Sequence, residues 1–120
     1  MNAGWIGAVN GFIAVAAGAF GAHGLEGRLD AASLETWDLA ARYQMFHALA
    51  LLVVAGRDRA AKSARVATGS FLAGIVLFSG SLYVLALTGL KVLGAITPFG
   101  GVGLLVGWAA LAVSFRKSRA

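Results

Sequence analysis

Three long stretches of this 120-residue chain, residues 1–22, 66–90 and 92–115, contain no Asp, Glu, Lys or Arg. Each is long enough for a helix crossing a hydrocarbon core about 30 Å thick, which takes about 20 apolar residues. Lipid offers the backbone no hydrogen-bond partner, so a single uninterrupted span of this kind has to be helical. A fourth stretch, residues 43–56, is charge-free over 14 residues only. Arg42 at its edge can snorkel toward the headgroups, which lets a span begin near Leu39. A re-entrant segment or a buried helix are the alternatives there, and an even number of spans best fits the charge pattern below. The sequence therefore reads as an all-α polytopic membrane protein, one domain over residues 1–120. Its expected form is a four-transmembrane-helix bundle, with helices at about 5–23, 34–56, 66–88 and 97–115 and a short interfacial helix leading into the second.

Composition agrees. Hydrophobic residues make up 59% of the chain, charged residues 12%, and the mean hydropathy is +0.81. Soluble domains carry about 25% charged residues, and here the polar residues run out before a water-facing surface is covered. A soluble globular enzyme, a disordered tail and a nucleic-acid-binding module are excluded. The absence of Cys removes disulfides, thiolate catalysis and Cys-based metal sites.

The charges sort by side. The loop Arg57–Arg65 carries Arg57, Arg59, Lys62 and Arg65 against Asp58, and the tail adds Arg116, Lys117 and Arg119. With four spans these lie together with the N-terminus. Glu26, Arg28, Asp30, Glu35, Asp38, Arg42 and Lys91 fall on the opposite side. The two faces then carry +6 and −1, which accounts for the chain's net +5. This is the positive-inside pattern and places both termini in the cytoplasm of a bacterial inner membrane. The high pI thus reflects topology and not affinity for nucleic acid. No Lys or Arg precedes the first apolar run, so that run is read as a retained helix and not as a signal peptide.

Small residues recur at spacings of three and four along the first helix: Gly7, Gly11, Ala14, Gly18 and Gly21. Membrane helices pair by close packing, which small residues permit. Gly7–Gly11 and Gly103–Gly107 are both GxxxG elements, and they predict the tightest contact between the first and last helices. In the first loop, Ser33 is the expected N-cap of a helix that begins at the interface, with Trp37 and Tyr43 at headgroup level and Asp38–Arg42 as an i,i+4 pair. Thr97-Pro98 is the expected start of the last helix, where Pro suits the first turn. No internal repeat supports an inverted-repeat transporter.

Polar groups at hydrocarbon depth are costly and each raises a functional question. Asn10, His23, Gln44 and His47 stand out, with the hydroxyls of Ser79, Ser81 and Tyr83. His23 ends the first helix and His47 lies inside the second from the same side, so the two imidazoles are expected to face each other. Together with Gln44, Ser79 and Ser81 they form the candidate ligand site. Two facing histidines suit b-type haem but not structural zinc, which takes four ligands; no metal is expected. The favoured reading is that the histidines and Gln44 act as interhelical hydrogen-bonding groups, and that Asn10 fixes helix register. All five carboxylates fall outside the spans, which argues against a proton-coupled transporter. Ser79-Gly80-Ser81 lacks the strand–turn–helix context of a nucleophile elbow.

The segments Gly18-Ala19-Phe20-Gly21-Ala22-His23-Gly24-Leu25, Tyr43-Gln44-Met45-Phe46-His47-Ala48-Leu49-Ala50, Leu77-Phe78-Ser79-Gly80-Ser81-Leu82-Tyr83 and Thr97-Pro98-Phe99-Gly100-Gly101 resemble, in this order, the YgdD/YwdK-like family of small bacterial inner-membrane proteins, which has TMEM-type relatives in eukaryotes. The resemblance covers nearly the whole chain. It implies a four-helix integral membrane protein of unknown function, with no catalytic residue to carry over. Sequence and resemblance together lead to the expectation of a non-enzymatic membrane protein, free-standing or accessory to a larger complex, or a homo-oligomer in the bilayer. The alternatives are small-ligand binding or transport at the His23, Gln44 and His47 cluster, or haem or quinone held by the same histidines. No cofactor is expected under the first reading.

Overall fold

Asn2 opens the first helix by accepting a hydrogen bond from the Trp5 amide at 3.0 Å, the usual service of an N-cap side chain. The computed structural model describes residues 2–117. All its regular elements are helical: α1 (Ala3–His23), α2 (Ala31–Ala55), α3 (Lys62–Ile75), α4 (Ser81–Thr88) and α5 (Leu93–Lys117). A five-residue π turn, Val76–Gly80, joins α3 to α4 in one continuous rod. Three rods, Ala3–His23, Lys62–Thr88 and Leu93–Arg116, are long and apolar enough to cross a membrane. The 25-residue α2 is not among them, because Arg42, Gln44 and His47 dilute its apolar run.

Several boundaries differ from those read in the sequence. Asp30, and not Ser33, caps α2: its carboxylate accepts from the Ser33 amide at 2.8 Å. Capping three residues earlier makes α2 one continuous helix from Ala31, with no separate interfacial element. Its first turns lie along the end of α1, where the Trp37 indole packs over Gly21 and donates to the Ala17 carbonyl at 2.7 Å. Asp38 and Arg42 do form their ion pair on the exposed side. At the other turn, Gly89 adopts a left-handed conformation (φ 73°) that ends α4. Successive i→i+3 bonds from Leu93, Gly94 and Ala95 then start α5 ahead of Thr97, so Pro98 lies inside the helix and not at its start.

The packing is two close pairs, α1 on α2 and α3 on α5, with α2 joining them through α3, the π turn and α4. The tightest contact, expected between the first and last helices, is made within each of these two pairs. Each GxxxG element instead meets its neighbour within a pair. Gly7 is buried against the Ala48 carbonyl and Leu51 of α2, whereas Gly11 is looser and Gly18 faces open space. On α5, Gly103 lies against Gly74 and the Ser70 carbonyl, and Gly107 against the Phe71 ring. Gly100 continues this line, pressed against the backbone of Leu77 and Phe78 in the π turn. Phe71 and Leu51, both fully buried, fill the space between the pairs.

These contacts set a contrast among glycines. A methyl at Gly100 would lie 2.7 Å from the Leu77 carbonyl carbon, a backbone atom that cannot swing away. Gly100→Ala is expected to lower stability by about 2 kcal/mol, and Gly18→Ala, with open space around it, to raise it by about 0.5–1 kcal/mol, both read as thermal unfolding in detergent. A second test concerns the α2 cap. The amide and then the hydroxyl of Ser33 hold the Asp30 carboxyl below its usual range. A carboxyl depressed by folding contributes stability above its unfolded pKa, and this is lost as pH falls through the folded value. Protection of the first turn of α2 in hydrogen exchange should therefore fade in acid. In Asp30→Asn, which keeps the cap without the titration, it should stay level.

Candidate functional site

The polar side chains that the sequence singles out divide between two hydrogen-bonded chains across the middle of the bundle. The first crosses three rods. The Tyr83 hydroxyl of α4 donates to Gln44 Oε1 of α2 at 2.7 Å, Gln44 Nε2 donates to Asn10 Oδ1 of α1 at 2.9 Å, and Asn10 Nδ2 donates to the Ile6 carbonyl at 2.9 Å. Gln44 is 5% exposed, so all of its hydrogen-bonding capacity has to be met by protein. An amide is well suited to this place, since it accepts from one neighbour and donates to another.

The second chain centres on His47, which is also 5% exposed. Its Nε2 accepts from the Trp108 indole of α5 at 3.0 Å, and its Nδ1 lies 2.6 Å from the Tyr43 carbonyl. Indole N–H can only donate, so Nε2 is the acceptor and Nδ1 carries the proton that bonds Tyr43. Both ring nitrogens are thereby engaged. The Phe71 and Trp108 rings contact the imidazole edge-on or tilted, at centroid distances of 5.7 and 5.8 Å, and Tyr43 stacks on it at 6.0 Å. Trp108 was not singled out by the sequence. Its indole N–H, in an otherwise apolar helix, is the signal that could have found it.

The expected histidine pair does not form. His47 adjoins Ala48, which packs on Gly7 near the start of α1, whereas His23 is exposed at the far end of that helix. The sixteen residues from Gly7 to His23 span roughly 24 Å of helix at 1.5 Å per residue. The expectation counts the depth of His47 from a membrane entry near Leu39, only eight residues away, whereas α2 runs along α1 from Ala31, sixteen residues or about 24 Å before His47. Among the described residues, no group of three or more His, Cys, Asp or Glu is arranged to hold a metal ion.

The two serines lie apart from both chains. The Ser81 hydroxyl bonds the Phe78 carbonyl at 3.0 Å and Thr97 Oγ1 at 2.6 Å, tying the π turn to α5. Ser79, 1% exposed, has no partner for its hydroxyl among the described residues. Beside the His47–Trp108 bond a groove of about 380 Å³ opens sideways between α2, the π turn and α5, lined by Tyr43, Phe78, Pro98, Val102 and Leu105.

Comparison with known proteins agrees with this all-helical apolar chain. Residues 17–101 match the family described as Protein of unknown function (DUF423). The chain is 48% identical over 115 residues to the UPF0382 membrane protein YwdK of Bacillus subtilis, covering 93% of this chain and 94% of that one. It is 49% identical over 114 residues to the UPF0382 membrane protein SAB0533 of Staphylococcus aureus, with 93% of each covered. To a UPF0382 membrane protein of Haemophilus influenzae it is 49% identical over 113 residues, covering 93% and 91%. No solved structure matches.

The Gln44 relay makes a graded expectation. Gln44→Leu orphans both the Tyr83 hydroxyl and Asn10 Oδ1, whereas Tyr83→Phe orphans only Gln44 Oε1. The first should be the more destabilising, and a double-mutant cycle between the two should return a coupling of about 0.6–1.7 kcal/mol, the scale of interhelical hydrogen bonds in membranes. Unfolding in mixed micelles gives both numbers.

Proposed function

We propose, for this chain, which belongs to the DUF423 (UPF0382) family of membrane proteins, a non-enzymatic role as a four-span inner-membrane protein that acts by association within the bilayer. The observation that carries this reading is that the amide, phenol, imidazole and indole groups singled out in the interior are bonded to one another and to backbone carbonyls. Tyr83, Gln44 and Asn10 bond in series, and His47 is bonded at both ring nitrogens. Groups placed for catalysis need a free valence toward a substrate; these are committed to holding helices together. The outer surface is apolar instead, with Phe12, Phe99 and Leu105 each at least 70% exposed, which suits lipid, a second copy or the helix of a larger complex.

The fourth span is α2. Its 25 residues give a rod of about 38 Å, and the polar residues that lower its hydropathy, Gln44 and His47, are covered by α1, α4 and α5. Arg42 sits toward the outer end, paired with Asp38. The charge asymmetry supports cytoplasmic termini, with Arg119 of the tail lying outside the described residues.

A second reading, small-ligand binding, is favoured only by the lateral groove beside His47. An apolar ligand such as a quinone would enter there from the bilayer and not at the outer mouth, and to bond His47 it would have to displace Trp108. Neither reading calls for a resident cofactor.

Two measurements test the proposal. Glu26→Cys should label with a membrane-impermeant maleimide in intact cells, and Lys62→Cys only after permeabilisation. Labelling of both from one side would remove α2 as a span, and the reversed pattern would overturn the orientation. Purification in mild detergent should give a colourless protein, as a defined oligomer or with a bound partner by native mass spectrometry. A copurifying chromophore would overturn the association reading in favour of the second.

A further inference from the structure

The basic end of the bundle holds a cleft of about 190 Å³ between the start of α1, the end of α2 and the first turns of α3. It is lined by Asn2, Gly4, Val54, Arg59, Arg65 and Thr68 among others. Its charge is only partly compensated. Asp58 is the one acid against the four basic residues of the Arg57–Arg65 loop; it accepts from the Ala60 amide at 3.0 Å and forms no ion pair among the described residues. Among the described residues the only ion pair is Arg42–Asp38, at the opposite end.

The arginines of this loop differ in what they do. Arg57 is built into the fold, donating to the Ser114 carbonyl at 3.3 Å and lying over the Phe115 ring at 4.1 Å. Arg65 donates to the Ala60 carbonyl at 2.6 Å, which fixes its guanidinium against the loop while leaving further N–H groups to spare. Arg59 makes no hydrogen bond or ion pair among the described residues, yet it lines the same cleft. One held and one unengaged guanidinium around a small cavity match a tetrahedral oxyanion, which guanidinium groups bind through paired N–H donors. The cavity lies where the apolar α1 and α3–α4 rods end, and this is the depth of lipid phosphates.

From this geometry we propose that Arg59 and Arg65 form a binding site for the phosphate of an anionic phospholipid headgroup. Basic pockets between membrane helices bind such headgroups. Val54 and Ala55 add an aliphatic wall to the cleft, against which acyl carbons can pack. The inference rests on the four-span reading, because α1 and the α3–α4 rod both begin at this end and α2 has to return the chain to it. It does not depend on the sidedness of the termini, and its failure leaves the labelling test above untouched.

The test is thermal unfolding in a neutral detergent with increasing phosphatidylglycerol, phosphatidylcholine or inorganic phosphate. Phosphatidylglycerol should stabilise the wild-type protein, because a ligand that binds only the folded state raises its apparent stability, and phosphatidylcholine should not. The apparent affinity for phosphatidylglycerol should fall about thirtyfold in Arg59→Gln/Arg65→Gln and be unchanged in Arg28→Gln, which removes a charge from the opposite end. Should the double variant fail to fold, Arg59→Gln alone serves, since its side chain makes no hydrogen bond among the described residues. Stabilisation by inorganic phosphate, also lost in the variant, would keep the phosphate chemistry but assign the source to a soluble phosphoryl compound. Equal stabilisation by both lipids, or a response unaltered by the Arg59 substitution, would overturn the site.

Discussion

The structure depends on how α2 satisfies its polar side chains. Gln44 and His47 are each 5% exposed in the second half of α2, which is otherwise apolar. In hydrocarbon an unpaired amide or imidazole is expensive, so α2 has to be surrounded by helices that present matching groups. Asn10 comes from α1, Tyr83 from α4 and Trp108 from α5. Three partners on three elements leave few arrangements of the bundle compatible with all the bonds. Of the four long helical stretches the least apolar thereby becomes the central one, and those around it leave large side chains such as Phe12, Phe99 and Leu105 exposed. This inverts the soluble pattern, as expected where the surrounding solvent is itself apolar.

Close packing supplies what the hydrogen bonds cannot. Lipid chains contact Leu as well as protein does, so helix association gains from backbones approaching closely. The α3–α5 pair achieves this with glycines on both sides. Gly74 faces Gly103, Gly107 accepts the Phe71 ring, and Gly100 meets the π turn directly. The Ser81–Thr97 bond pins that turn at the same level. A π turn widens the helix and weakens its internal ladder, and here it coincides with the point where a neighbouring backbone comes closest. Hydroxyl and glycine together let α5 seat against an irregular stretch that a larger side chain would push away.

The sequence made three apolar rods and the conspicuous amide and imidazole of Gln44 and His47, which prove to be buried, legible because both follow from cost. Charge is excluded from hydrocarbon over long windows, and an interior amide is conspicuous wherever it occurs. It could not reveal which helices pair. GxxxG elements mark surfaces able to pack closely but carry no partner address, so Gly7 and Gly103 were joined to each other when each in fact meets its hairpin or neighbouring rod. The error over His23 has a different origin. Placing the α2 cap at Ser33 and its membrane entry near Leu39 shortened the helix on paper, and depth along a rod accumulates at 1.5 Å per residue. A displaced start therefore moved His47 up to the mouth. Pro98 misled for a related reason. The i→i+3 bonds from Leu93 to Ala95 begin α5 in a tighter form, and the proline then falls just inside it.

Polar function is distributed along the bundle axis in a way that follows from these constraints. At mid-depth every added polar atom demands a partner, so Asn10, Gln44, Tyr83, His47 and Trp108 are consumed in holding the helices. At the ends water and headgroups satisfy charge without help from the fold, which frees side chains for other work. Arg57 and Arg59, two positions apart, show the division: one is tied to Ser114 and Phe115, while the other lines a cleft with no hydrogen bond of its own among the described residues. The helical bundle offers two kinds of surface for recognition, its apolar flanks and its charged ends. The flanks are chemically uniform and discriminate by shape. The basic end can discriminate by charge, and in a bilayer the abundant ligand of complementary charge is the lipid itself.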